Sequence, residues 1–281
     1  MNSYESTMKK STVILLGVIL IICTSYGPPN CNLFKADEGC YNACLEAERA
    51  IEYPQGSKLS QELFDKSIQL CPGFDYSYYE KSVPYAKRGL IKEWKEMIDI
   101  ALKIDPEEHL ATRGWFHFFF MHNYEAAIKD IEALEQLVDY DIGYSGDGTY
   151  HLNIIKALCW KGLGKTEKAI EIITEQLNKE DHDLGMYDYL HLGVLHYQNE
   201  EYDLALEYLE KQIDENDVSE IYYYKALCLK AQNKFRMYKQ SIQKALQYYD
   251  AGTTMSNSYR QMEDEIYKVD LEREIASTDH F

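Results

Sequence analysis

The sequence predicts an all-α protein: about six helix–turn–helix units stacked into one array and closed by a terminal helix. Three observations predict it. Similar segments recur at a nearly fixed interval. Aligned on one position they mark Ser60, Trp94, Ala127, Ala169, Ala205 and Tyr238, at steps of 34, 33, 42, 36 and 33 residues. Within the segments apolar residues fall 3 and 4 apart, the period of a helix, as at Leu152, Ile155, Leu158 and Cys159 of "YHLNIIKALCW". The 281 residues hold only 6 prolines and 15 glycines, too few for a long linker or a low-complexity tract.

Residues 1–30 read as a targeting segment outside the fold. Lys9 and Lys10 precede an apolar run over residues 13–22. That length suits the core of a signal peptide and falls short of a membrane span. The run ends "LIIC", and a cysteine after such a run resembles a bacterial lipoprotein signal. The resemblance implies a lipid on Cys23 and an exported, membrane-anchored protein facing the periplasm or cell surface of a bacterium. An uncleaved single anchor is the other reading of the same run. Export alters the meaning of Cys31, Cys40, Cys44 and Cys71. Outside the cytoplasm they can form two disulfides, with three pairings open. Their spacings of 9, 4 and 27 lack the paired short intervals of a zinc site, so no metal is expected.

The array occupies residues 31–253, with units near 41–74, 75–107, 108–141, 150–183, 186–218 and 219–252. Pro72 and Pro106 close the first two units, and Pro84, inside a first helix, predicts a kink or a late start. The third unit carries "HNYEAAIKDI". The step of 42 places about eight extra residues at "YDIGYSGDGT", a loop by its three glycines. Asp139, Asp141 and Asp147 nearby lack calcium-loop spacing, so that loop is read as solvated. The fourth unit contains "CWKGLGKTEKAIEII", whose GLGKT resembles the end of a phosphate-binding loop. Cys159 stands where the first glycine belongs, and a helix precedes it where a strand is required. Gly162 and Gly164 are instead read as the turn between two helices, and no nucleotide is expected. The fifth unit, "YLHLGVLHYQNEEYDLALEYLEKQI", is the most regular. Residues 254–281 are a capping helix and tail: Met262, Ile266 and Val269 fall 4 and 3 apart on one face.

These units resemble the tetratricopeptide repeat (TPR), a helix–turn–helix of about 34 residues. The family's small residue in the first helix falls on Ser82, Ala157, Gly193 and Ala226 and is violated by Glu48 and Trp115. Its small residue in the second helix falls on Ser60, Ala127, Ala169 and Ala205 and is violated by Trp94 and Tyr238. The resemblance implies a right-handed superhelix with a concave groove lined by first-helix positions. Here these are Tyr76, Tyr79, Val83, His109, Thr112, Phe116, Phe119, His151, Ile154, Leu158, Lys161, Tyr187, Leu190, Val194, Tyr197, Tyr223, Leu227 and Lys230. Ten of them are candidate binding residues: Tyr76, Tyr79, Phe116, Phe119, His151, Lys161, Tyr187, Tyr197, Tyr223 and Lys230. The groove is aromatic, with few of the basic groups by which TPR domains grip a C-terminal carboxylate. It suits a peptide docked through apolar side chains, with about half of its lining open to solvent.

A formal charge of −18 and a pI near 4.9 argue against nucleic-acid binding. No G-x-S-x-G or H-E-x-x-H occurs, and the pairs His117/His122 and His191/His196 are five apart, on different helix faces. The sequence thus points to a non-catalytic, cofactor-free scaffold or adaptor that binds a protein or peptide at the cell envelope. Two other readings remain: an acidic immunity-type inhibitor of a basic toxin or enzyme, and a glycan-binding lipoprotein whose tyrosines stack on sugars.

Overall fold

The structure, a computed structural model, describes residues 28–257 and 261–277; the apolar N-terminal run and Cys23 lie outside them. Among the described residues there are thirteen α-helices and no strand. Twelve helices form six consecutive antiparallel hairpins. They are α1 (Glu38–Ile51) with α2 (Lys58–Leu70), α3 (Asp75–Lys87) with α4 (Ile91–Ile104), and α5 (Pro106–Met121) with α6 (Tyr124–Leu137). Then come α7 (Leu152–Gly162) with α8 (Thr166–Leu177), α9 (Asp188–Gln198) with α10 (Tyr202–Glu215), and α11 (Ser219–Ala231) with α12 (Phe235–Asp250). The helix α13 (Lys268–Ser277) packs on α12.

Local chemistry sets the helix starts. Asp37, Ser57, Asp105 and Asn123 each accept the backbone N–H three residues on, and Pro106 occupies the first helical position of α5. Gly164, at φ 71°, makes the α7–α8 turn, so GLGKT is a helix-to-helix corner. The helix α3 starts on time at Asp75 and runs through Pro84 to Lys87.

Two of the irregular small-residue positions are a matter of register. Gly114, not Trp115, makes the close approach of α5 to α6: a Cβ there would lie 3.4 Å from the Ala127 carbonyl. Gly193 stands in the same relation to Ala205, at 3.3 Å. In the first hairpin Ala47 is buried and Glu48 is only half-buried. In the first and third hairpins one extra residue separates the paired positions. Trp94 and Tyr238 are fully buried large side chains. Trp94 packs on Phe116 of the next unit. The Tyr238 hydroxyl donates to the Glu274 carbonyl in α13 at 2.7 Å.

The cysteines pair as Cys31–Cys44 and Cys40–Cys71, tying the opening 3₁₀ turn (Cys31–Phe34) to α1 and α1 to the end of α2. They staple a small separate core around Ala43, Ala47, Leu63, Phe64 and Phe74. The insertion between α6 and α7 is more ordered than a solvated loop. Ser145 N–H donates to the Tyr150 carbonyl, Leu152 N–H donates to the Gly143 carbonyl, and Ser145 and Tyr150 are buried. Among the described residues no helix is long and apolar enough to cross a membrane.

Candidate functional site

The first helices of successive hairpins touch one another, α5 to α7, α7 to α9 and α9 to α11, and so form one continuous wall. The ten candidate residues divide into two groups along it. Tyr76, Tyr79, Phe116, Phe119 and His151 are absorbed by packing in the N-terminal part and the α6–α7 corner. Tyr76 belongs to the N-terminal core. Tyr79 stacks on His109, whose ring bonds Asp75 at 2.7 Å. Phe116 and Phe119 lie in an aromatic stack with Trp115 and Phe120. His151 is the N-cap of α7, and its Nε2 bonds Asp141 at 2.8 Å. That contact and Gly143 N–H help hold the Asp141 carboxyl down to about 2 despite the opposing effect of burial.

The wider wall is drier than its sequence pattern predicts. Tyr79, Val83, His109, Thr112, Phe116, Phe119, His151, Ile154, Leu158, Tyr187, Leu190 and Val194 are buried; the other six positions are half-buried, and none is exposed. Much of the dryness at the C-terminal end has one cause. After α12 the chain turns at Gly252 (φ 75°) and returns across α7, α9 and α11. Ser219 N–H donates to the Thr253 carbonyl at 2.9 Å. Met255 N–H donates to Glu220 Oε2 at 3.1 Å. Met255 and Met262 are buried at 1% and 5% exposure, in the same apolar cluster as Tyr187, Leu190 and Val194.

At the centre of this contact sits Asp264. Its carboxylate accepts from Lys161 Nζ in α7 and lies 2.7 Å from His191 Nδ1 in α9. The opposite ring nitrogen, His191 Nε2, is 3.0 Å from the buried Tyr150 hydroxyl. With Nδ1–H donating to Asp264, Nε2 accepts the Tyr150 proton, and every polar atom of the ring is satisfied. Burial pushes the Asp264 carboxyl up, but the Lys161 charge and the His191 hydrogen bond outweigh it and hold it below the ordinary range. Burial of Glu220 wins over its backbone hydrogen bonds and raises its carboxyl to about 7.

Further along, Lys230 donates to Glu274 Oε2 at 2.7 Å and to Ser277 Oγ at 3.2 Å. Tyr197 and Tyr223 flank Tyr224, at ring separations of 6.2 and 5.3 Å. Burial raises both Tyr197 and Tyr223, the latter to about 12, with the nearby Glu274 charge adding to each. Lys161, Tyr187, Tyr197, Tyr223 and Lys230 therefore gather on the C-terminal half of the wall. Sequence reasoning missed Tyr150, His191, Glu220 and Asp264. It also placed Met262, Ile266 and Val269 on one helical face. The helix begins only at Lys268, and Val269 is 55% exposed while Met262 and Ile266 are buried on the returning segment.

Cys159 and Cys228 are buried and lie outside the two disulfides, and burial pushes the Cys228 thiol up to about 12. Among the described residues no cluster of histidine, cysteine and carboxylate side chains has the geometry of a metal site.

The chain matches no protein-family model, and no curated protein matches it in sequence. Its likenesses are to solved structures. PilF of Pseudomonas aeruginosa superposes with a TM-score of 0.60 at 16% identity, over 76% of this chain and 95% of that one. PilW, a widely conserved type IV pilus biogenesis factor, gives 0.59 at 14% identity, over 74% and 94%. YrrB, a TPR protein with an unusual peptide-binding site, gives 0.52 at 14% identity, over 68% and 94%. The fold is accordingly a tetratricopeptide-type solenoid.

Proposed function

We propose that this chain is a non-catalytic protein-binding scaffold at the cell envelope, receiving a segment of another polypeptide along its first-helix wall. One observation carries the reading: the wall already accepts irregular polypeptide from its own chain, residues 253–257 and 261–266. It does so through buried methionines, a buried carboxylate and a backbone N–H. A stacked-hairpin surface that seats one such stretch has the depth and polar partners to seat another. The envelope location rests on the N-terminal basic and apolar run and on two disulfides, which persist in oxidising compartments.

The test uses affinity capture from detergent-solubilised envelope, followed by purification of the captured protein and a titration against the scaffold. The reading expects a 1:1 complex with the wild-type chain. It expects at least tenfold weaker binding to a folded Tyr197→Ser/Tyr223→Ser variant. Undiminished affinity in that variant refutes the wall as the contact surface.

A further inference from the structure

Of the polar groups on the wall, four are arranged to receive something: Lys161, His191, Tyr150 and Glu220. All but Lys161 are buried, and Lys161 has only 11% of its side chain exposed. Three elements of the array supply them, α7, α9 and α11, with Tyr150 coming from the corner before α7. What they face comes from far along the chain. Asp264 is 103 residues from Lys161 and 73 from His191. His191 is oriented by Tyr150, which belongs to the array, so its Nδ1–H points the same way whatever lies in front of it. Without an occupant Lys161, the His191 Nδ1–H and Glu220 would lose the partners that the returning segment gives them, and water would have to replace those hydrogen bonds. The site therefore demands a particular chemistry. A carboxylate must meet Lys161 and His191, a backbone N–H must meet Glu220, and apolar side chains must cover the surface between.

The resident segment satisfies these demands from a turn. Asp264 sits at φ 66°, in the left-handed region that aspartate adopts more readily than most residues. The segment itself is irregular, and it is helical only beyond Lys268. The Asp264 carboxylate, the Ser219 and Glu220 contacts and the buried Met255, Met262 and Ile266 help to hold it. A segment of that kind opens more readily than the helices beneath it.

We propose that residues 253–257 and 261–266 are a resident pseudo-ligand of the wall, and that the partner replacing them presents an aspartate or glutamate side chain flanked by methionine- or isoleucine-like residues. This rests on the scaffold reading above and names the chemistry of its ligand: an acidic, apolar peptide segment whose carboxylate enters the Lys161–His191 pocket. The same pocket makes the C-terminal segment autoinhibitory, because a partner binds only by displacing it, at an effective concentration that a covalent tether sets in the millimolar range.

The test uses the full-length chain and a fluorescein-labelled peptide of the sequence of residues 253–266. The Asp264→Asn chain keeps the shape of the segment and loses its charge. It is expected to bind the wild-type peptide at least tenfold more tightly than the wild-type chain does, by fluorescence anisotropy. A peptide carrying the same Asp264→Asn change is expected to bind neither. Equal binding of both peptides, or equal binding to both chains, overturns the proposal. If the Asp264→Asn chain does not fold, the readout moves to hydrogen exchange of the wild-type chain at millimolar peptide. Faster exchange of the Met255 and Met262 amides supports displacement, and unchanged exchange overturns it. Failure here is separable from failure of the scaffold reading. An envelope protein lost on Tyr197→Ser/Tyr223→Ser but indifferent to Asp264→Asn would leave the scaffold standing and remove the carboxylate pocket.

Discussion

Glu80 offers a sharp test of the packing described above. It sits on α3 with 3% of its surface exposed. Burial raises its carboxyl from 4.5 to about 7, against a hydrogen bond from Gln55 and the attraction of Lys87. A carboxyl with a raised folded value holds its proton in the native chain while the unfolded chain has lost it. Stability therefore falls as pH rises from the unfolded value through the folded one, then levels off. With one unit worth 1.36 kcal/mol, the loss between pH 5 and pH 8 is about 2.5 kcal/mol for this group. Glu220 has the same sign and a similar shift, to about 7. His117 and His151 are held below their ordinary values, mainly by burial, and titrate in the opposite sense. The clean quantity is thus a difference between variant and wild type, in which the other groups cancel. In urea unfolding followed by circular dichroism, Glu80→Gln minus wild type should grow in favour of the variant by about 2.5 kcal/mol between pH 5 and pH 8. A difference that stays constant across that range refutes the assignment of a buried, proton-holding Glu80.

Two further expectations concern the scaffold. The Cys31–Cys44 and Cys40–Cys71 bridges close separations of 13 and 31 residues. Chain entropy assigns them roughly 3 and roughly 4 kcal/mol. Reduction should make Lys58 and Lys66 in the first hairpin susceptible to trypsin while leaving α7–α12 protected, and identical digestion patterns before and after reduction would contradict it. At Gly193 an added Cβ would lie 2.8 Å from Leu209 Cγ and 3.3 Å from the Ala205 carbonyl. Gly193→Ala should cost about 1–3 kcal/mol by overpacking, and an unchanged melting midpoint would show that α9 and α10 do not meet there.

The fold was legible because a solenoid writes its architecture locally. Each hairpin repeats one pattern of small and large residues, and neighbours stack in chain order, so periodicity alone yields the topology. The misfits were informative. Trp115 looked like a violation only because α5 runs further past its close approach than the other first helices, so one extra residue separates the paired positions and the close approach falls on Gly114. Tyr238 breaks the small-residue rule where α13 packs on α12, and its hydroxyl reaches the Glu274 carbonyl there. The disulfide pairing was not legible, since three pairings satisfy the same four positions.

The wall was half legible, and the missing half has a physical reason. Helix periodicity says which face of α7, α9 or α11 points inward, and Lys161, Tyr187, Tyr197, Tyr223 and Lys230 are buried or half-buried. It says nothing about a segment that returns from 73 or 103 residues away, because such contacts leave no period. Met262 and Ile266, four apart, mimic a helical stripe while lying on irregular backbone, so the apolar pattern there was a signature of burial and not of helix. Asp264 was invisible for another reason. In a chain with 47 acidic residues, one more aspartate reads as solvated surface. Only its position between Lys161 and His191 distinguishes it, and only a carboxylate there leaves both of those groups satisfied.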